Sequence, residues 1–192
     1  EAAPGSLSHL PTHWTELHGN AFAGQKVLVT GGAGFIGSHL CDALVQLGAE
    51  VRTFDDSSGG SKANLSDIRG PGPLTFLPGT LLDEAAVQRA LEGCALVFHQ
   101  AALPSVPRSI TMPRRHHAVN VTGTQILLDA AVAGGVKRVM FAASSSAYGD
   151  TPTLPKEESM PPRPKSPYAA NKVASECLLH AYANCFDMDC VA

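Results

Sequence analysis

The chain has 192 residues, 44% of them hydrophobic and 16% charged, enough for one α/β domain with its own core and too apolar for a disordered segment. A net charge of −3 argues against nucleic acid or an anionic membrane surface as a partner. No apolar run reaches spanning length, and residues 1–24 lack the basic start and apolar centre of a secretory signal.

Residues 1–24 read as a loosely ordered leader with a short helix near His13–His18. Lys26–Thr30 is a short apolar run rich in β-branched residues, expected as a buried strand. A glycine-rich turn follows, then a helix over Phe35–Leu47 that stops at Gly48. Glu50–Asp55 is the second strand, and 55–73 a Gly/Ser-rich loop with one helical turn. Leu74–Leu77 is a strand, Asp83–Leu91 a helix capped by Asp83, and Leu96–His99 a strand. One long helix is expected from Pro113 to Ala133, ended by Gly134-Gly135. Arg138–Ala143 is the fifth strand, 151–167 a Pro-rich loop, Tyr168–Phe186 a helix and Asp189–Ala192 the opening of a sixth strand. Strands alternating with helices imply a doubly wound parallel sheet, covered on both faces, of the Rossmann type.

Five cysteines make an odd count with no Cys-x-x-Cys, so buried free thiols in a reducing, cytoplasmic setting are expected. The histidines form no His-x-x-x-His pair, and adjacent His116 and His117 would point to different sides of a helix, so no metal site is expected. The start at Glu1 and the end at Val191-Ala192, where a strand opens, read as a piece of a longer protein.

The segment Gly31-Gly32-Ala33-Gly34-Phe35-Ile36-Gly37 satisfies G-x-G-x-x-G and G-x-x-G-x-x-G at once. Either spacing is weak alone, but this one follows a strand and opens a helix. Such a loop lets backbone approach a pyrophosphate, and the helix N-terminus offers unpaired N–H groups with partial positive charge. Asp55 closes the second strand about 20 residues further on, where a carboxylate accepts from ribose hydroxyls and repels a 2′-phosphate. The expected cofactor is NAD, held by Gly31, Gly34, Phe35, Ile36, Gly37 and Asp55.

Tyr168 and Lys172 are four apart in a helical segment and share a face. Tyrosine alone is a poor base at neutral pH; a neighbouring ammonium stabilises its phenolate. Ser144, Ser145 and Ser146 follow the fifth strand at its carboxyl end, where ligands bind in such sheets.

These residues resemble the extended short-chain dehydrogenase/reductase family over roughly residues 25–192. The resemblance implies a catalytic triad of Ser144, Tyr168 and Lys172. Four further stretches sharpen it: His99–Ile110, Asn120–Thr124, Ala143–Asp150 and Ser166–Lys172. They are similar to nucleotide-sugar 4-epimerases, of the UDP-N-acetylglucosamine/galactosamine or UDP-glucose/galactose type. By that resemblance Leu81, Gln100, Ala101 and Ala102 line the cofactor with Tyr168 and Lys172, and Asn120 supports its site. Ser105, Val106, Ser144, Ser145 and Tyr168 face the UDP-sugar. The full-length protein would be a homodimer through the long helices after the fourth and fifth strands.

Related dehydratases carry Asp-Glu beside the triad hydroxyl, and decarboxylases a Glu; this chain has Ser145-Ser146 there. Elimination lacks its acid/base group, whereas epimerisation needs none. A non-catalytic NAD-binding fragment, or a decarboxylase or dehydratase whose acid comes from elsewhere, remains the alternative. Three departures from the family pattern stand out. Gly79-Thr80-Leu81 replaces Gly-Asp-Leu; Arg114-Arg115-His116-His117 reads as a solvated helix face; Asn171 stands where Ser or Thr is common and reads as neutral. Residues 25–192 are thus expected to be a Rossmann domain, incomplete at its C-terminus and lacking the family's second, sugar-gripping lobe.

Overall fold

The structure is a computed structural model that describes residues 14–192. Six parallel strands form one sheet in the order β3-β2-β1-β4-β5-β6. They are β1 Lys26–Thr30, β2 Glu50–Asp55, β3 Leu74–Pro78, β4 Leu96–His99, β5 Arg138–Phe141 and β6 Asp189–Val191. Helices α1 Trp14–His18, α2 Phe35–Gln46, α3 Glu84–Leu91, α4 Val106–Thr111, α5 Pro113–His117, α6 Gly123–Ala133 and α7 Pro167–Cys185 connect or flank them.

The strand pattern explains the layers. Side chains alternate between the faces of a strand. On β1, Leu28 joins Val97, Leu127, Leu128, Val139 and Leu179 on one face. Val27 and Val29 join Cys41, Leu44, Val45 and Val51 on the other. A strand apolar on both sides can sit only in the middle of a covered sheet. Leu127 and Leu128 are fully buried, each contributing about 1.5–3 kcal/mol of hydrophobic stabilisation. Tyr182 donates to an Asp129 carboxylate oxygen and ties α7 to α6. At the near end of the chain, Phe22 is half-buried and its ring lies 6.5 Å from that of Phe98.

The chain winds outward from β1 to β3, then crosses back to β4. That reversal leaves a crevice outside the carboxyl ends of β1 and β4, the usual ligand position in such sheets.

The helix expected over 113–133 runs unbroken between those bounds, and carries a π-turn at Ala118–Thr122, where the backbone widens around the buried Asn120. Two expectations need correction. The run 114–117 is not wholly solvated: Arg114, Arg115 and His117 are exposed, but His116 is buried. The thiols are not all buried either; Cys41 and Cys94 are, whereas Cys177 and Cys185 are exposed on α7 because they lie off its packed face. The expected turn in the 55–73 loop is a 3-10 turn at Lys62–Leu65. His13, at the edge of the expected leader helix, lies outside the described residues. No helix among the described residues is long and apolar enough to cross a membrane.

Candidate active site

The crevice is a cleft of about 430 Å³. Its floor is the turn from β1 into α2. Gly31 has φ +69°, and a Cβ there would stand 2.6 Å from the Ala101 backbone nitrogen. A Cβ at Gly37 would stand 2.2 Å from the Gly31 carbonyl oxygen. The glycines are therefore required by close backbone approach as well as by conformation. Gly34 is the N-cap of α2 and supplies no side-chain cap, so the first N–H groups of this helix face the cleft with their partial positive charge.

Asp55 is buried at the end of β2. Its Oδ2 accepts from the Ala33 N–H at 3.0 Å and its Oδ1 from the Ser57 N–H at 2.7 Å. One carboxylate thus fixes the glycine loop from below while lining the cleft. Asn64 and the Ser61 N–H clamp the same loop from above, both donating to the Ala33 carbonyl, at 2.8 and 3.0 Å.

The opposite wall is built from Gln100, Ala101 and Ala102 after β4, and Ala142 and Ala143 after β5. Tyr168 and Lys172 close it from the first turns of α7. The α7 N-terminus is held firmly: Ser166 caps it by accepting from the Ala169 N–H at 3.1 Å, and Pro167 opens it. The Tyr168 N–H donates to the fully buried Ser109 hydroxyl of α4 at 3.1 Å. Lys172 is 4% exposed. Its Nζ donates to the Ala142 carbonyl at 2.7 Å and lies 4.5 Å from the Phe141 ring centre. Burial pulls its pKa down to about 8, against a smaller opposing pull from Glu176.

Twelve of the residues expected at the cofactor or catalytic site line this cleft: Gly31, Gly34, Phe35, Ile36, Gly37, Asp55, Leu81, Gln100, Ala101, Ala102, Tyr168 and Lys172. The others stand around it. Asn120 is buried behind the wall, accepting from the Leu103 N–H at 2.7 Å and donating to the Leu103 carbonyl at 3.1 Å. Ser144 is half-buried just past β5; its Oγ is 2.7 Å from that of Ser146 and caps the 3-10 turn Ser145–Tyr148. Ser145 is exposed in that turn. Ser105 caps α4 through the Arg108 N–H at 3.2 Å, and Val106 begins that helix, 39% exposed. Asn171 is not neutral: it is buried, its Nδ2 has no partner, and its Oδ1 lies 3.4 Å from Nδ1 of His117.

The sequence reading missed Ser58, Gly59 and Gly60, which line the cleft from the loop after β2. It also missed the supporting roles of Asn64 and Ser109. The available signal was a small-residue run just after Asp55. Among the described residues no cluster of three His, Cys, Asp or Glu side chains could hold a metal ion.

Residues 27–192 match the NAD dependent epimerase/dehydratase family. A UDP-glucose 4-epimerase of Mycolicibacterium smegmatis is 41% identical over 168 residues, covering 86% of this chain and 54% of that protein. A UDP-N-acetylglucosamine 4-epimerase from Methanobrevibacter ruminantium, solved with UDP-N-acetylmuramic acid, superposes with a TM-score of 0.82 at 37% identity, covering 88% and 53%. The Thermus thermophilus UDP-glucose 4-epimerase, solved with NAD, gives 0.79 at 38% identity, covering 86% and 53%. The chain therefore spans about half the length of these relatives. The glycine cradle, which a Cβ would fill, and the Asp55 carboxylate beside it fit a bound dinucleotide. The chain belongs to the NAD dependent epimerase/dehydratase family.

Proposed function

We propose that the whole protein is an NAD-dependent nucleotide-sugar 4-epimerase, of which residues 25–192 are the cofactor domain. The observation that carries this reading is the shared wall of Tyr168 and Lys172 in the dinucleotide cleft. Beside it, Ser145 and Ser146 stand where an eliminating enzyme would need a carboxylate.

Bound NAD supplies a reversible hydride acceptor. The rest falls to the chain. The α2 N-terminus and glycine loop hold the pyrophosphate, and Asp55 accepts from ribose hydroxyls. Lys172, lacking a hydrogen-bonded carboxylate and fixed on the Ala142 carbonyl, has N–H groups left for the other ribose and a positive field at the tyrosine. Tyr168 takes the proton of the sugar C-4 hydroxyl and later returns it. Ser144, released from Ser146, hydrogen-bonds the same oxygen and steadies that transfer. The keto-sugar then turns over before reduction on its other face. A UDP-sugar is the substrate class, and Ser105 and Val106 face it. The full-length chain pairs through α6 and α7 as a homodimer.

The test is to incubate the full-length protein with UDP-N-acetylglucosamine and with UDP-glucose, adding no NAD. C-4 epimers are the expected products. A 4-keto sugar or released carbon dioxide would replace this reading with a dehydratase or decarboxylase. NAD binding without turnover of either sugar would leave a cofactor-binding protein. Tyr168→Phe should lower turnover by at least about a thousandfold while keeping NAD; normal turnover would remove Tyr168 from the proposed role.

A further inference from the structure

His99 ends β4 and is 1% exposed, yet it takes no part in the chemistry above. A buried imidazole must place both ring nitrogens in hydrogen bonds. Its Nδ1 lies 2.7 Å from Oγ1 of Thr30, and its Nε2 lies 2.9 Å from Oγ1 of Thr124.

The directions follow from counting hydrogens. Thr124 has one hydroxyl proton and donates it to the Asn120 carbonyl at 2.6 Å. Toward His99 it can only accept, so Nε2 carries the hydrogen. Nδ1 is then bare and accepts from Thr30. Thr30 in turn accepts from the Ala101 N–H at 3.2 Å. A cationic ring, or the other tautomer, would leave the Thr30 hydroxyl proton without a place. Burial also pulls the His99 pKa down to about 3, with Lys172, the charged group facing it, acting in the same direction.

The chain of bonds closes on itself. It runs from Ala101 through Thr30, His99 and Thr124 to Asn120, whose side chain returns to Leu103 by two bonds. Thr30, Thr124 and Asn120 are all at most 3% exposed. The circuit therefore joins β1, β4 and α6 to both ends of segment 101–103. Its first atom, the Ala101 nitrogen, is the one a Cβ on Gly31 would strike at 2.6 Å. The same contact sets the gap between the glycine floor and the opposite wall.

We infer that His99 is a positioning residue, held as the neutral Nε2–H tautomer, that sets the Ala101–Leu103 wall against the glycine loop and so sets NAD affinity. The inference rests on the cofactor assignment but not on the epimerase reading.

Nitrogen-15 spectra of the 192-residue chain test the tautomer without any variant. His99 should show a bare Nδ1 and a protonated Nε2, unchanged from about pH 5 to about pH 8. A protonated Nδ1 overturns the inference. Calorimetric NAD titration of Thr124→Val and Thr124→Ser tests the positioning. The isosteric valine breaks the circuit and should weaken NAD about tenfold; serine keeps the hydroxyl and should stay within about twofold. The Ala101 and Leu103 amide resonances should move in the valine variant alone. Unmoved resonances with unchanged affinity would overturn the inference. So would a serine variant as weak as valine, because loss of side-chain bulk would then account for both. If the wild-type chain binds no NAD, the cofactor assignment for this piece fails, and the amide shifts still decide whether His99 sets the wall.

Discussion

Lys172 makes stability depend on pH in an unusual direction. Its ordinary value is 10.5, and burial brings it to about 8. Between those values the unfolded chain binds more protons at this site than the folded chain. Stability therefore rises with pH across that window, with a slope of up to about 1.4 kcal/mol per pH unit. Integrated over the window, the rise is about 3 kcal/mol. Below about pH 8 the folded protein carries the whole cost of a buried ammonium. The Ala142 carbonyl and the Phe141 ring offset that cost only in part. Thiols and phenols of the unfolded chain titrate in the same range, so the measurement is a difference. Urea unfolding of wild type and Lys172→Met, without NAD, should be compared from about pH 7 to about pH 10.5. The wild-type free energy minus that of the methionine variant should climb by about 3 kcal/mol as pH rises. A flat or falling difference would mean that Lys172 keeps an ordinary pKa in the folded chain. The burial argument would then fail.

Other positions give simpler outcomes. Gly37→Ala puts a Cβ 2.2 Å from the Gly31 carbonyl oxygen, with backbone on the receiving side. It should cost about 1–3 kcal/mol in stability and at least about tenfold in NAD affinity; wild-type calorimetric affinity would contradict the close-approach account. Asn171→Ser removes the partnerless Nδ2 and should stabilise the chain by about 1 kcal/mol, raising Tm by about 2–4 °C. A lower melting temperature would show that the amide does useful work through His117. Cys177 and Cys185 should react at once with a thiol reagent. Cys41 and Cys94, which burial pushes up to about 12 and about 11, should stay silent until denaturant is added.

The sheet was legible because its strands are buried on both faces, so runs such as Lys26–Thr30 need no alternation to stand out. The cleft was legible because close approach of backbone demands glycine, and because Tyr168 and Lys172 are one helical turn apart. Helix α4 was not legible. It has six residues, too few for a period, and Pro107 disguises its first turn. The π-turn at Ala118–Thr122 has no composition of its own. The His99 circuit was hidden for a different reason: its partners are 69 and 25 residues away, and a histidine closing a strand looks the same with or without them. The burial of His116 was missed similarly, since a run of four basic residues reads as one solvated face although only part of a helix faces water.

The widened turn at Ala118–Thr122 also governs how the chain tolerates changes in length. An α-helix rotates by about 100° per residue. A π-turn absorbs one extra residue without passing that rotation along the helix. Deleting any one residue from this stretch would straighten the path from Pro113 to Ala133. The Arg114–His117 face would keep its phase relative to α6, but the Asn120 carbonyl would be withdrawn from the hydroxyls of Thr124 and Ser175. A one-residue gap elsewhere in this helix would reset its phase by about 100°, whereas a gap within this stretch would not. In this protein the spacing of residues along the helix is therefore as much a part of the site as their identities.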